Sequence, residues 1–378
     1  MTKRITVLGC GRVGSLIAKR LAAADFAVSV YDSSALSLER LAGVELKLAQ
    51  VADLSDPARI AKLALESDLV IGALPGFMGL MAMEAVIETG KPLVDISFLP
   101  EDPSGLDAQA RKKGSVVVYD IGVAPGLSHL LVGHGAASLD EVDAAYIWVG
   151  GLPLAPQPPW YYSAPFSPID VLEEYTRPTR YVSGGVEVEC EALEGMELIE
   201  LPGIEGVLEA CFTDGLRSLN KNIKAREMTE KTLRWPGHIN AIRVLRDGGF
   251  FSAEPMRIGG QEIIPIEFAS AVLFPQWELK PGETEFTVMR VDVFGKKDGL
   301  SITRRWDVLD FTDHDSDETS MARTTGLPCV YAAQKVLEGL IDEPGIHAPE
   351  TLAQKERFVD GLLGYLTAEG VRIRETNP

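Results

Sequence analysis

Apolar residues follow two different patterns along the chain, and the pattern changes near residue 140. Between residues 4 and 119, short apolar runs alternate with stretches whose apolar residues have helical spacing. Beyond residue 140, runs of alternating apolar and polar residues become common. Strands that alternate with helices are typical of a parallel sheet, whereas strands that follow one another through short turns are typical of an antiparallel sheet. The pattern therefore predicts an α/β domain followed by an α+β domain.

The amino-terminal part is predicted to contain six strands separated by helices. The helix that follows Asp56 has the clearest start, because Asp56 can cap it and Pro57 suits its first position. The predicted strands lie near residues 4–8, 26–30, 44–49, 68–74, 92–96 and 116–119. The other predicted helices lie at about 35–41, 78–88, 102–113 and 127–137. This order indicates a doubly wound parallel sheet.

The second part is predicted to be a mixed α+β domain with a mainly antiparallel sheet. Its predicted strands are 142–149, 180–190, 197–201, 207–212, 223–233, 285–294 and 300–310, the last two joined as a hairpin. Its predicted helices are 168–175, starting at Ser167-Pro168, then 213–219, 236–246 and 266–274. Helical patterns at 319–339 and 348–369 are expected to pack back on the first domain. The predicted division is thus 1–125, 126–318 and 319–378.

The first strand leads into the glycine pattern G-x-G-x-x-G, formed by Gly9, Gly11 and Gly14. Gly9 permits a sharp turn, Gly11 lets a pyrophosphate approach the backbone, and Gly14 lets helix and strand pack closely. The amino terminus of the following helix, at Arg12 and Val13, favours phosphate binding. The stretch therefore predicts a Rossmann dinucleotide-binding domain.

Asp32 ends the second strand, where a carboxylate can accept hydrogen bonds from the adenosine ribose hydroxyls. Its charge would repel a 2′-phosphate, and the neighbouring Ser33 and Ser34 offer no cation. The sequence therefore predicts NAD rather than NADP as the cofactor.

Further loops should lie at the carboxyl ends of the parallel strands, where ligands of such sheets bind. The residues predicted there to contact the cofactor are Leu74, Pro75, Asp95, Gly122 and Pro125. Asp120 precedes the tight turn that contains the last two. It is interpreted either as a cap for that turn or as a catalytic group.

Residues 211–238 are the richest in groups that could bind or transform a substrate. Arg217 and Arg234 are candidates for holding a carboxylate, because a guanidinium forms two parallel charge-assisted bonds. The other candidate substrate contacts and proton-transfer groups of this stretch are Thr213, Asp214, Lys231 and His238. His129 is a second candidate histidine. A surface arginine, a strand-face lysine or a half-buried histidine is the alternative interpretation for each.

Composition limits the class of ligand. The chain of 378 residues has a net charge of −19 and a pI near 4.8, which argues against nucleic acid and anionic membranes. Its four cysteines have no metal-binding or paired spacing, so they indicate reduced thiols and a cytoplasmic location. No metal motif occurs. The expected ligand is a small molecule.

Several segments occur together in an order that resembles the saccharopine dehydrogenase-like superfamily. They are VLGCGRVG at 7–14, DIGVAPGL at 120–127, GGLP at 150–153, FSP and EEY at 166–175, TDGLRSL at 213–219 and EKTLRWPGH at 230–238. The resemblance covers nearly the whole chain, and within the superfamily it is greatest to the lysine 6-dehydrogenases.

This resemblance implies NAD-dependent oxidative deamination of the side-chain amine of L-lysine, giving allysine and then piperideine-6-carboxylate. Relatives that act on saccharopine or carboxynorspermidine represent an alternative C–N oxidoreductase activity, and a non-catalytic NAD-binding regulator is an alternative of another class. Arg217 or Arg234 would bind the α-carboxylate, while His238, Lys231 or Asp120 would transfer the proton. The far amine of lysine would need either room to be neutral or an anionic partner, for which Glu173, Glu174 and Asp214 remain open. A homodimer is expected.

Overall fold

The computed structural model describes residues 2–164, 168–280, 282–355 and 357–377. The chain divides into two compact units. The first comprises residues 1–137 and 322–371, and the second comprises residues 138–321 and 372–378. The carboxyl-terminal part of the chain therefore contributes to both units.

The strands in chain order are β1 (Arg4–Leu8), β2 (Ala27–Asp32), β3 (Leu48–Val51), β4 (Leu69–Gly72), β5 (Leu93–Asp95), β6 (Val116–Val118), β7 (Glu141–Pro153), β8 (Thr179–Ser183), β9 (Val186–Cys190), β10 (Glu197–Ile199), β11 (Leu208–Phe212), β12 (Glu227–Arg234), β13 (Met256–Ile258), β14 (Gln261–Ile263), β15 (Glu285–Lys297), β16 (Leu300–Phe311), β17 (Gly345–His347) and β18 (Arg372–Thr376).

The α-helices are α1 (Arg12–Ala23), α2 (Ala35–Leu38), α3 (Pro57–Leu65), α4 (Gly76–Glu88), α5 (Asp107–Lys113), α6 (Leu127–Ala137), α7 (Pro168–Thr176), α8 (Leu219–Asn222), α9 (His238–Asp247), α10 (Pro265–Trp277), α11 (Ser320–Leu337), α12 (Pro349–Leu352) and α13 (Phe358–Ala368). Short 3₁₀ helices span Glu39–Leu41 and Pro103–Leu106.

The first unit is built on a parallel sheet with the strand order β17-β6-β5-β4-β1-β2-β3. All four residues of β4 are buried, as expected for a strand covered by helices on both faces. Asp56 caps α3 as predicted, because its side chain accepts a hydrogen bond from the backbone N–H of Ala58. The predicted doubly wound α/β domain is confirmed.

The second unit is built on a mixed sheet with the order β10-β11-β12-β7-β15-β16-β18, to which β8 adds through β12 and β9 through β8. Most neighbours are antiparallel, whereas β12 and β7 are parallel. Its core includes the fully buried Tyr175, Trp277 and Phe286. The predicted α+β character is therefore confirmed.

Three predicted elements of the second part differ in the structure. Residues 180–190 form the hairpin β8–β9 rather than one strand, because Gly184 and Gly185 both adopt positive φ and reverse the chain. Residues 213–218 do not form the predicted helical turn, and α8 begins only at Leu219. The helix predicted from residue 168 is α7, while Ser167 lies outside the described residues.

Four short strands escaped the sequence pattern. The hairpin β13–β14 turns at Gly259-Gly260, and β17 and β18 extend the first and second sheets, respectively. β13, β14 and β17 have three residues each, too few for a period of two to show. β3 begins at Leu48 rather than at residue 44.

Candidate active site

The glycine turn after β1 is shaped by close backbone packing. Gly9 has a φ of +99°, and a Cβ there would lie 2.2 Å from the carbonyl oxygen of Ala73. A Cβ at Gly14 would lie 2.3 Å from the carbonyl oxygen of Gly9. The first and third glycines are therefore required by the fold of the first unit itself.

Gly11 is different, because a Cβ there would have no neighbouring atom within 4 Å. Its φ of −65° is accessible to any residue, and it stands immediately before the first residue of α1. The open space lies beside a helix amino terminus, which favours an anion. The turn therefore fits a dinucleotide pyrophosphate placed over Gly11, next to Arg12 and Val13.

Asp32 lies beside this turn at the end of β2. Its Oδ2 accepts a hydrogen bond of 2.6 Å from the backbone N–H of Cys10, and its Oδ1 accepts one of 2.7 Å from the N–H of Ser34. A carboxylate has further lone pairs for ribose hydroxyls. The Cys10 thiol lies in the field of Asp32, and burial with this charge raises its pKa to about 11.

The loops after β4, β5 and β6 hold the other predicted cofactor contacts. Leu74 is buried, and Pro75 stands immediately before α4. Asp95 is the buried last residue of β5, where burial raises its pKa to about 7 and the charge of Asp120 adds to the rise. The structure thus brings Asp95 and the buried Asp120 into one electrostatic environment.

Gly122 and Pro125 form the tight turn that follows Asp120. The N–H of Gly122 donates to the carbonyl oxygen of Pro125 at 3.1 Å, and the peptide bond before Pro125 is cis. His129 lies just beyond this turn in α6, fully buried, with its Nδ1 3.0 Å from the hydroxyl oxygen of Ser128. His129 is therefore part of the interior of the first unit.

In the second unit, residues of β12 that are close together in the sequence point to opposite faces of the sheet. Successive side chains of a strand point to opposite faces, so Glu230, Thr232 and Arg234 share one face and Lys231 lies on the other. Lys231 Nζ donates to the carbonyl oxygen of Gly195 at 2.8 Å and lies 4.7 Å from the ring centre of Phe212. Lys231 therefore lies on the opposite face of β12 from Arg234, and its proposed role in proton transfer stays a prediction.

Arg234 is held by its own unit. Its Nη2 forms an ion pair of 2.8 Å with Glu174 Oε2, and its Nε donates to the hydroxyl oxygen of Tyr175 at 2.7 Å. The guanidinium also lies 4.7 Å from the ring centre of Tyr162. Arg234 is 2% exposed, so this buried ion pair already balances its charge.

His238 begins α9 and continues the same hydrogen-bond chain. Its Nδ1 lies 2.7 Å from the carbonyl oxygen of Trp160, which can only accept, so Nδ1 carries the proton. Nε2 must then accept from the Tyr175 hydroxyl, 2.9 Å away. Burial and the nearby Arg234 lower the pKa of His238 to about 3. The imidazole is neutral, with both ring nitrogens engaged.

Thr213 and Asp214 lie in a turn that packs against β12. Asp214 binds Arg180 with two side-chain hydrogen bonds of 2.9 and 2.7 Å. The Thr213 hydroxyl donates to Glu230 Oε2 at 3.1 Å. Arg217 follows in the same turn with a φ of +46° and is partly exposed. The turn therefore packs against the buried carboxyl group of Glu230 through Thr213, and Arg217 follows four residues later in the chain.

Glu230 and Tyr175 contact predicted site residues of the second unit, but neither was itself predicted from the sequence. Glu230 stands at the same strand parity as Arg234, which is the signal that could have found it. Tyr175 lies 63 positions before His238 in the chain, so no local pattern connects the two.

The two halves of the chain match two parts of one protein family. Residues 5–118 match the saccharopine dehydrogenase NADP binding domain, and residues 122–371 match the saccharopine dehydrogenase C-terminal domain. The chain belongs to the saccharopine dehydrogenase family. The predicted resemblance is confirmed at this level, and with it the class of NAD(P)-dependent oxidoreductases acting on amine C–N bonds.

Similar proteins extend over most of the chain. Saccharopine dehydrogenase [NADP(+), L-glutamate-forming] of Schizosaccharomyces pombe is 24% identical, covering 88% of this chain and 89% of the relative. Carboxynorspermidine synthase of Vibrio cholerae is 25% identical, covering 76% and 73%. Apo saccharopine dehydrogenase (L-Glu forming) from Saccharomyces cerevisiae matches the fold with a TM-score of 0.80 over 100% of both chains at 20% identity.

Within the described residues, no helix combines the length and apolar character that crossing a membrane requires. In the same part of the chain, no group of three or more His, Cys, Asp or Glu side chains is arranged to hold a metal ion.

Proposed function

We propose that this chain oxidises the side-chain amine of L-lysine with NAD, giving an imine that water hydrolyses to allysine, which cyclises to piperideine-6-carboxylate. The observation that carries the proposal is the charge balance of the second unit. Arg234 and Arg180 are already neutralised by Glu174 and Asp214. Saccharopine carries an additional dicarboxylic fragment, which would need further cations. L-lysine has a single carboxylate and so needs fewer cations than saccharopine, and Arg217 is kept as the sequence-based candidate for binding that carboxylate.

Each of the three predicted parts of the chain keeps its predicted role in this proposal. Residues 1–125 would bind the dinucleotide, residues 126–318 the substrate, and residues 319–378 would support the first domain. When bound, the dinucleotide supplies the hydride acceptor. Asp32 supports NAD, because its fixed carboxylate suits ribose hydroxyls and repels a 2′-phosphate. Asp32 therefore argues for NAD within a family whose binding domain is named for NADP.

The reaction needs a group that takes a proton from the substrate ammonium, because only a free amine can release hydride from its carbon. We assign this role to Asp120. Burial and the charge of Asp120 raise the pKa of the nearby Asp95 to about 7, and shifted carboxyl pKa values are common at catalytic sites. His238 receives a positioning role, because both of its ring nitrogens are engaged.

The test is the appearance of NADH absorbance when purified protein is mixed with NAD and one amine at a time. The panel contains L-lysine, saccharopine, carboxynorspermidine and aliphatic diamines, each repeated with NADP. We expect the highest kcat/KM with L-lysine and NAD. Faster turnover of saccharopine or carboxynorspermidine would replace the proposal with the activity named for the relatives. Absence of turnover with every amine, together with tight NAD binding, would favour a regulator.

We also propose a homodimer that works in the cytoplasm. Large apolar side chains are exposed on α9, α10 and the β13–β14 hairpin: Val244, Ile258, Phe268 and Val272. Exposed apolar patches are typical of protein interfaces, and these side chains are proposed to contribute to one. The four unpaired cysteines support a reducing compartment. Light scattering after gel filtration should give twice the chain mass of 40.9 kDa, and a monomer mass would refute the dimer.

A further inference from the structure

The acids of the second unit differ in how their charge is balanced. Three of them are each paired with an arginine: Glu173 with Arg177, Glu174 with Arg234 and Asp214 with Arg180. These are the three acids that the sequence left open as partners for a substrate amine. Their charges are already balanced by arginines of the second unit. A different acid is therefore needed as the partner of a substrate ammonium group.

Glu230 has no such cation. Its side chain is 5% exposed, and its carboxyl group is held by neutral donors, the Thr213 hydroxyl at 3.1 Å and the N–H of Gly215. Within the described part of the chain, no lysine or arginine forms an ion pair with it. Burial raises the pKa of Glu230 to about 8, and the charge of Glu174 adds to the rise. A cation placed beside it would stabilise the ionised form.

The turn around Glu230 is shaped to accept its carboxyl group. A Cβ at Gly215 would lie 1.6 Å from Glu230 Oε2, so only glycine leaves room for the carboxyl group there. The TDG motif at 213–215 therefore packs against the first residue of the EKTLRW motif at 230–235. Glu230 is consequently held in place at the turn that carries Arg217.

Two other buried polar atoms support an outside ligand on this face. Glu209 lies directly opposite Arg234 in the antiparallel β11–β12 pair and therefore shares its face. Among the residues described, Glu209 Oε2 and the Tyr162 hydroxyl are buried without a hydrogen-bond partner. Glu209 is 7% exposed and Tyr162 is 4% exposed. A buried polar atom without a partner is costly, so a polar ligand group would relieve that cost.

We propose that Glu230 is the counter-ion of the substrate ammonium group that keeps its proton throughout the reaction. The reacting amine must become neutral before hydride leaves, so a lasting carboxylate partner suits the other amine. For L-lysine this is the α-ammonium group. The inference rests on the proposed function. When the ammonium group binds, a protonated Glu230 releases its proton to solvent and pairs with the cation as a carboxylate.

The first test compares L-lysine with 6-aminohexanoate, which lacks the α-amine, in wild type and Glu230→Gln. Glutamine keeps the side-chain volume and an oxygen acceptor for Thr213, but it removes the charge. We expect kcat/KM for L-lysine to fall on the order of 10- to 100-fold, whereas that for 6-aminohexanoate changes less than about threefold. Glu189→Gln, at an exposed position of β9, is the matched control. Glu230→Asp should restore part of the preference for lysine.

An equal loss for both amines would overturn the inference, since it would mean that Glu230 only shapes the turn. If wild type oxidises no amine, the proposed function itself fails, and the two failures are thereby distinguished.

A second test uses only wild type and so does not depend on folding of the variant. L-lysine and 6-aminohexanoate are each titrated calorimetrically into the NADH complex at pH 7, in two buffers of different ionisation enthalpy. Lysine should release roughly one more proton than 6-aminohexanoate, because its ammonium group ionises Glu230. Equal release by the two ligands would refute the counter-ion role.

Discussion

The Tyr175 hydroxyl lies 2.9 Å from Nε2 of His238 and accepts a hydrogen bond from Arg234 Nε at 2.7 Å. Because His238 Nδ1 donates to the carbonyl oxygen of Trp160, the donor and acceptor of each hydrogen bond from Arg234 through Tyr175 to His238 are fixed. This hydrogen-bond chain links the last residue of β12 to the first turn of α9 through α7. It is therefore a polar brace inside the core of the second unit.

Tyr175→Phe should remove this brace with little change in volume. Arg234 and His238 would each lose a buried partner, so the free energy of unfolding should fall by about 1–3 kcal/mol. Urea unfolding followed by tryptophan fluorescence measures it. Tyr181→Phe is the control, because Tyr181 is half-buried and stacked on Phe212, and its change should stay below about 0.5 kcal/mol. Equal stability of Tyr175→Phe and wild type would contradict the brace.

His238 should make stability depend on acid pH. Its pKa falls from an ordinary 6.5 to about 3 in the folded state, so the unfolded chain takes up the proton first. Stability is therefore fully present above pH 6.5 and is lost as the pH falls towards 3. His238→Asn keeps a donor for the Trp160 carbonyl but does not titrate. Between pH 6 and 4, the unfolding free energy of His238→Asn should fall less steeply than that of wild type. The two slopes should differ by up to about 1.4 kcal/mol per pH unit.

Unfolding curves of wild type and His238→Asn at matched pH values supply this comparison, with pH 8 as the reference. Parallel pH profiles for the two proteins would mean that His238 is protonated in the folded state or exposed to solvent.

Gly11→Ala should separate cofactor binding from folding. No atom of the chain occupies the position of the added Cβ, so the thermal midpoint should remain close to that of wild type. The methyl group would stand where the pyrophosphate approaches, so NAD affinity should fall by about tenfold or more. Gly14→Ala is the counterpart, because its Cβ meets the carbonyl oxygen of Gly9 and should lower stability first. Unchanged NAD affinity in Gly11→Ala would place the pyrophosphate elsewhere.

Asp32→Ala should relax the preference for NAD. The change removes the carboxylate that accepts from Cys10 and Ser34 and that repels a 2′-phosphate. Arg40 lies close enough to lower the pKa of the Cys10 thiol, so it offers a phosphate one nearby cation. The ratio of kcat/KM for NAD to that for NADP should fall by about tenfold or more. A wild type that prefers NADP would already refute the assignment of Asp32.

The sequence predicted those features of the fold and the site that depend on neighbours in the chain. The spacing of Gly9, Gly11 and Gly14 within one turn, and Asp32 at the end of the next strand, are local patterns with a physical cause. The start of α3 is likewise local, because Asp56 caps a helix that begins at the next residue. Such patterns were sufficient for the fold class and the family.

The make-up of the buried cluster was decided only by tertiary structure. Lys231 and Glu230 are adjacent in sequence, but strand geometry sends them to opposite faces, and only the packed sheet tells which face Arg234, Tyr175 and His238 share. Thr213 meets Glu230 across 17 positions and Tyr175 meets His238 across 63. Because charge balance depends on such distant pairs, the sequence by itself could name the acids and arginines of this unit but not which of them neutralise one another.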